Sequence, residues 1–205
     1  MAKKRVAVLI SGRGSNMTAL IEAAEAQDYP AEIVLVVSNR PDAMGLAHAS
    51  DSGITTALID HRPFGDDREA FERALDAELT TQRIDLVCLA GFMRLLTPWL
   101  VARWSGRLLN IHPALLPEFK GLNTHRRALA AGVKRHGATV HFVVPETDSG
   151  PIIVQESVPV IEGDSEETLA ARVLEIEHRI YPHALRLVAE GRVSFHPDGA
   201  AKNAR

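Results

Sequence analysis

Short, mostly apolar runs alternate with amphipathic stretches along the first hundred positions. Val6–Ile10, Ile33–Val37, Ile54–Ile59 and Ile84–Ala90 read as strands, the first two continuously apolar as expected of strands covered on both faces. Between the first pair, Met17, Leu20, Ile21 and Ala24 recur at helical spacing, with Ser15 or Asn16 as the N-cap. Asp42 to Ser52 reads as a short helix ending at Gly53, and Asp67 opens a helix with Phe71, Leu75 and Leu79 on one face. Alternation at this pitch predicts right-handed crossovers and a parallel sheet.

After Gly91 the rhythm changes. Leu108–His112, Thr139–Val144 and Ile152–Val160 predict further strands, with a Pro-rich loop and a short helix around His125–Ala131 separating the first two. The connection Pro145–Pro151 is short, so the last two strands are expected to be antiparallel. Ser165 caps a long helix whose Glu166 and Glu167 suit its positive end, and Pro182 is expected to kink or interrupt it. Pro197–Arg205 is small and polar and reads as a frayed tail. With no repeat and no linker, 1–205 is expected to be one domain on one mixed sheet.

Composition narrows the function classes. The 205 residues are 46% hydrophobic and 24% charged, an ordinary globular balance. Lys and Arg number 23 against 26 Asp and Glu, a net charge of -3, which disfavours binding to a nucleic-acid backbone. Cys88 has no second cysteine to pair with, which fits a reducing, cytoplasmic setting. No apolar run approaches the roughly 18 residues that span a bilayer, so no membrane partner is expected. The basic start Met1–Arg5 precedes an apolar stretch that ends at Ile10, too short for a secretion signal.

Three constellations could carry chemistry. Ser11-Gly12-Arg13-Gly14-Ser15-Asn16 joins the first strand to its helix, and backbone N–H groups there suit one phosphate. It lacks a dinucleotide fingerprint, because Met17 replaces the third glycine and Asn39 the acidic residue. A tight turn without a ligand stays open as the other reading. Asn110 and His112, two apart in a strand, project together and could meet a developing oxyanion. They could equally be hydrogen-bonded core residues. Asp148, before Ser149-Gly150-Pro151, is ordinary turn chemistry in isolation. No metal site is expected: the nine histidines include no H-E-x-x-H, and His136, His141, His178 and His183 lack supporting carboxylates or thiols. No G-x-S-x-G elbow exists, and Cys88 sits mid-strand as a small apolar residue.

In order and spacing these segments resemble the phosphoribosylglycinamide formyltransferases, folate-dependent enzymes of purine synthesis. The resemblance runs through Ile10–Asn16, Leu89–Leu96, Leu108–Pro117, Val140–Val143, Asp148–Pro151 and Glu177–Pro182, nearly the whole chain. It implies a formyltransferase fold: a Rossmann-like, mainly parallel sheet flanked by helices, with an antiparallel C-terminal extension. The acceptor-phosphate half would span about 1–100, and the catalytic and folate-cleft half about 101–205. It also implies 10-formyltetrahydrofolate as co-substrate and glycinamide ribonucleotide as acceptor. Carried over, Asn110, His112 and Asp148 would be catalytic. Gly14, Ser15, Asn16 and Glu177 would hold the acceptor. Arg68, Met93, Arg94, Leu95 and Leu96, with Asn110, would line the folate cleft. For Glu177, its apolar neighbours Val173, Leu174, Ile180 and Tyr181 independently predict an inward position, as ligand group or as structural partner. One departure stands out: Asn123 occupies the first histidine position of the family's Gly-Leu-His-Thr-His stretch, so no histidine role is carried there.

The implied chemistry is direct attack by the acceptor's amine, with Asn110 and protonated His112 stabilising the oxyanion and Asp148 assisting. A carboxylate beside the imidazole predicts that His112 titrates above its ordinary value of about 6.5. No metal is needed, and monomer and homodimer both stay open. Methionyl-tRNA formyltransferase is disfavoured because it would need a further domain and a basic surface, and formyltetrahydrofolate deformylase because it usually has a domain ahead of the first strand. A non-catalytic folate- or phosphate-binding module is disfavoured by the three polar residues standing in register.

Overall fold

The computed structural model describes residues 2–196 and 201–203, the last three by backbone alone. A seven-stranded sheet runs through it. Strands β1 (Lys4–Ile10), β2 (Ala31–Ser38), β3 (Thr55–Leu58), β4 (Leu86–Leu89) and β5 (Leu108–His112) are parallel. β6 (Arg135–Phe142) pairs antiparallel with β5, and β7 (Ile152–Pro159) antiparallel with β6. The order is β3-β2-β1-β4-β5-β6-β7, so it reverses beside β1. Ligands of open α/β sheets bind at the carboxyl ends of strands beside such a reversal.

Alternation along β1 divides the core between two faces. Val6, Val8 and Ile10 pack with Met17, Leu20 and Ile21 of α1 (Ser15–Ala24) and with Val173, Ile176, Ile180 and Tyr181 of α6 (Glu166–Ala189). Ala7 and Leu9 face Leu75 and Leu79 of α3 (Arg68–Thr81) and Leu100, Val101 and Trp104 in and beside α4 (Pro98–Arg103). The remaining α-helices among the described residues are α2 (Met44–Asp51) and α5 (Thr124–Ala130), and Arg62–Phe64 forms a short 3-10 helix. Among the described residues no helix is long and apolar enough to cross a membrane.

Four local expectations need correction. Helix α1 begins at Ser15 behind Gly14, whose φ of 79° turns the chain, so neither Ser15 nor Asn16 caps it. Strand β6 starts at Arg135, four residues earlier than its apolar pattern suggests, because buried His136 and Gly137 belong to it. Helix α6 is not interrupted at Pro182. That proline removes one helical donor, yet Ile180, Tyr181, Ala184 and Leu185 are buried on either side and hold the helix to the sheet. Finally, the expected tail falls partly outside the described residues, but Ala201–Asn203 forms a strand, β9, antiparallel to β8 (Val193–Phe195). Backbone pairing there does not depend on the small side chains that suggested fraying.

Candidate active site

At the carboxyl end of β1, the turn Gly12–Asn16 exposes backbone toward solvent ahead of α1. Gly14 is required there. Its φ is positive, and a Cβ would stand 3.1 Å from Met17 Cε and 3.2 Å from Gly45 Cα. Gly45 lets α2 close on the turn, its N–H donating to the Gly12 carbonyl at 3.1 Å. Asn16 points away from a capping role: its Nδ2 donates to Glu177 Oε2 at 2.7 Å. Glu177 is inward as expected. Burial raises its pKa, opposed by the Asn16 bond. Asn16 Oδ1 is also buried and has no partner.

A second site is an open cleft of about 260 Å³ lined by Arg68, Leu89, Phe92, Arg94, Leu95, Leu96, Asn110, His141, Val143 and Asp148, among others. Five of the six expected folate-side residues line it, Asn110 included. Met93 does not: it is largely exposed, and its N–H donates to Ser11 Oγ at 2.8 Å. The cleft draws on both halves of the chain, since Arg68 and the 92–96 segment precede residue 100.

Polar groups converge on the floor of this cleft. Asn110 on β5 stands opposite His141 on β6. His141 Nδ1 is 2.8 Å from the Phe142 carbonyl, which can only accept, so Nδ1 carries a proton. In the neutral ring Nε2 then accepts from Asn110 Nδ2 at 3.2 Å. Asp148 closes the group, Oδ1 lying 3.7 Å from His141 Nε2 and Oδ2 3.4 Å from His112 Nδ1. Asp148 sits at φ 48°. Its Oδ2 accepts from the Gly121 N–H at 2.8 Å. Burial pushes the Asp148 pKa up, but the His141 ring in its protonated form, the Gly121 N–H and the charge of His112 outweigh it, and the net shift is down.

His112 lies behind the cleft surface, buried, and donates from Nε2 to the Phe119 carbonyl at 3.0 Å. Both ring nitrogens face acceptors, which favours the imidazolium. Burial nevertheless dominates and lowers its pKa below the ordinary value, against the partial support of the Phe119 carbonyl and Asp148. The expectation of a raised value is therefore overturned, because the ring loses more hydration than one carboxylate at 3.4 Å restores.

His141 is the residue that sequence reasoning left out of the site. It was one histidine among nine, and only its register opposite Asn110 reveals it. Asn123 takes a backbone role, at φ 56° ahead of α5, a conformation asparagine tolerates. Cys88 is fully buried and its thiol is pushed up to about 12, in keeping with an apolar role. Among the described residues no group of three or more His, Cys, Asp or Glu side chains gathers as a metal site.

Known proteins resemble the chain over most of its length. The formyl transferase family pattern matches residues 4–185. The chain is 47% identical over 195 residues to phosphoribosylglycinamide formyltransferase of Escherichia coli K12, covering 95% of this chain and 92% of that protein. It is 53% identical over 191 residues to trifunctional purine biosynthetic protein adenosine-3 of Gallus gallus, where 93% of this chain spans only 19% of the relative. Among solved structures, glycinamide ribonucleotide transformylase 1 of Symbiobacterium toebii superposes with a TM-score of 0.94 at 44% identity, covering 99% of this chain and 95% of that one.

Proposed function

The chain belongs to the formyl transferase family; from that premise we propose that it is a formyltransferase that moves the formyl group of 10-formyltetrahydrofolate to the amine of glycinamide ribonucleotide, in purine synthesis. The observation that carries this reading is the convergence of Asn110, His141 and Asp148 on the floor of a cleft walled by Leu89, Phe92, Leu95, Leu96 and Val143. Apolar walls around a few fixed polar groups suit a flat heterocycle carrying a reactive carbonyl.

The neutral amine attacks the formyl carbon and the carbonyl oxygen becomes an oxyanion. Asn110 has two amide protons, one engaged by His141, and the other donates to the oxyanion. His112 supplies a second donor by exchanging the Phe119 carbonyl for the oxyanion, whose charge also favours the imidazolium. Collapse breaks the bond between the formyl carbon and the folate nitrogen. Asp148, ionised because its pKa is lowered, passes the amine's proton through water to that nitrogen, leaving tetrahydrofolate. Direct displacement calls for neither a protein nucleophile nor a metal. In this reading Gly14, Ser15 and Asn16 hold the acceptor's phosphate with backbone N–H groups, and Glu177 its ribose or glycinamide. Arg68, Arg94, Leu95 and Leu96 take the folate, and Met93, which lies outside the cleft, has no part in it.

The test is a formyl-transfer assay offering glycinamide ribonucleotide, water and initiator tRNA as competing acceptors. Transfer to the ribonucleotide amine is the expected result. Formate release without transfer, or transfer only to tRNA, overturns the proposal.

A further inference from the structure

We propose that Glu72 is a positioning residue for the folate side of the cleft, fixing the Arg94–Thr97 wall to helix α3; the inference rests on the folate reading above. Glu72 belongs to the buried stripe of α3 with Leu75 and Leu79, at i, i+3 and i+7, and is 1% exposed. A carboxylate at an apolar position is costly unless its oxygens are bonded. Both are bonded, and by one residue: Oε1 accepts from the Thr97 N–H at 2.7 Å and Oε2 from the Thr97 hydroxyl.

The wall needs such a hold. Among the described residues, 92–96 take part in no helix, strand or backbone turn hydrogen bond. Side chains hold it at alternate positions instead. Ser11 Oγ accepts from Met93 N–H at 2.8 Å, Arg68 Nη2 donates to the Leu95 carbonyl at 2.6 Å, and Glu72 holds Thr97. Arg68 and Glu72 stand one turn apart on α3, so one rigid helix grips the segment twice. The side chains of Arg94, Leu95 and Leu96 are left to line the cleft. Leucine at position 72 would serve packing alone, whereas the carboxylate fixes the backbone of the wall.

The variants Glu72→Leu and Glu72→Gln separate positioning from packing. Leucine fits the apolar stripe but accepts nothing, while glutamine keeps an acceptor for the Thr97 N–H and a partner for its hydroxyl. Tetrahydrofolate binding, read from the fluorescence of Trp99 and Trp104, requires no turnover. Glu72→Leu should weaken it about ten-fold and raise the KM for 10-formyltetrahydrofolate by a similar factor, with the acceptor's KM little changed. Glu72→Gln should recover most of the loss. Thr97→Val removes only the hydroxyl and should shift affinity the same way by less, which keeps the test decisive if Glu72→Leu does not fold. Wild-type affinity in folded Glu72→Leu, in Thr97→Val when the leucine variant does not fold, or an equal rise in both KM values, overturns the proposal alone. If the wild-type protein binds no tetrahydrofolate, the folate reading falls and the proposal falls with it.

Discussion

Two regions of the sheet, a backbone end at the β1 turn and a side-chain end on the β5–β6 pair, present chemistry in different ways. At the carboxyl end of β1 the proposed phosphate site is backbone: Gly12–Asn16 turns on a glycine at positive φ, and the strand behind it is wholly apolar from Val6 to Ile10. On β5 and β6 the proposed catalytic site is side chain. Asn110, His112, Thr139 and His141 occupy strand positions where apolar residues are usual, and three of the four are buried. A backbone site depends on one conformation and tolerates changes in side-chain chemistry. A side-chain site depends on charge, tautomer and burial together, so it should be the more sensitive to substitution and pH.

The sharpest break between the ends should come from Asn110→Ala. If its amide donates to the oxyanion, kcat should fall roughly 10²–10³-fold, about 2.7–4 kcal/mol, with circular dichroism unchanged. Full activity in a folded variant would put Asn110 with the structural residues. Gly150→Ala should come next. A Cβ there would lie 1.7 Å from the Phe142 carbonyl oxygen, so the turn carrying Asp148 must move. A displacement near 1 Å should cost about 10² in kcat, and steady-state rates with a melting curve check it.

Acid sensitivity should also belong to the side-chain end. His136 is buried in β6, and burial, with the charges of His125 and His112 and against partial support from the Pro113 carbonyl, holds its pKa at about 4. Its unfolded value is about 6.5. Between these values the unfolded chain takes a proton that the folded chain refuses, so stability falls as pH drops through that window. His136→Leu should flatten the fall between pH 7 and 5 in urea midpoints, and an unchanged slope would assign the acid loss elsewhere. The smallest effect is expected at the backbone end. Gly14→Ala should cost about 1–2 kcal/mol of stability from its left-handed conformation, and raise the acceptor's KM more than the folate's. Equal effects on both substrates would remove the phosphate from this turn.

The same contrast decides what could be read from the chain. Val6–Ile10, Ile33–Val37 and the stripe Phe71, Leu75, Leu79 are apolar runs or periodic faces, and their elements are where periodicity puts them. The start of β6 is masked by His136 and Gly137, because buried polar residues carry no periodicity. Helix α4 has six residues behind an irregular segment, too few to repeat a pattern. Strand spacing brings out Asn110 and His112 and the resemblance gives them and Asp148 catalytic roles, while their meeting point, and His141 within it, depend on pairings between β5, β6 and a turn. Glu72 gives no local sign, since its partner lies 25 residues away.

In the proposed site Asp148 and the buried His112 behave as one electrostatic unit in which burial outweighs the carboxylate. NMR titration of the His112 ring in wild type and in Asp148→Asn tests it most directly. The wild-type pKa should lie below the ordinary value of about 6.5, and should drop further in the variant, where the imidazolium loses its neighbouring charge while burial remains. A wild-type value above 6.5 would contradict the dominance of burial, and an unchanged value in Asp148→Asn would break the coupling on which the proton relay rests.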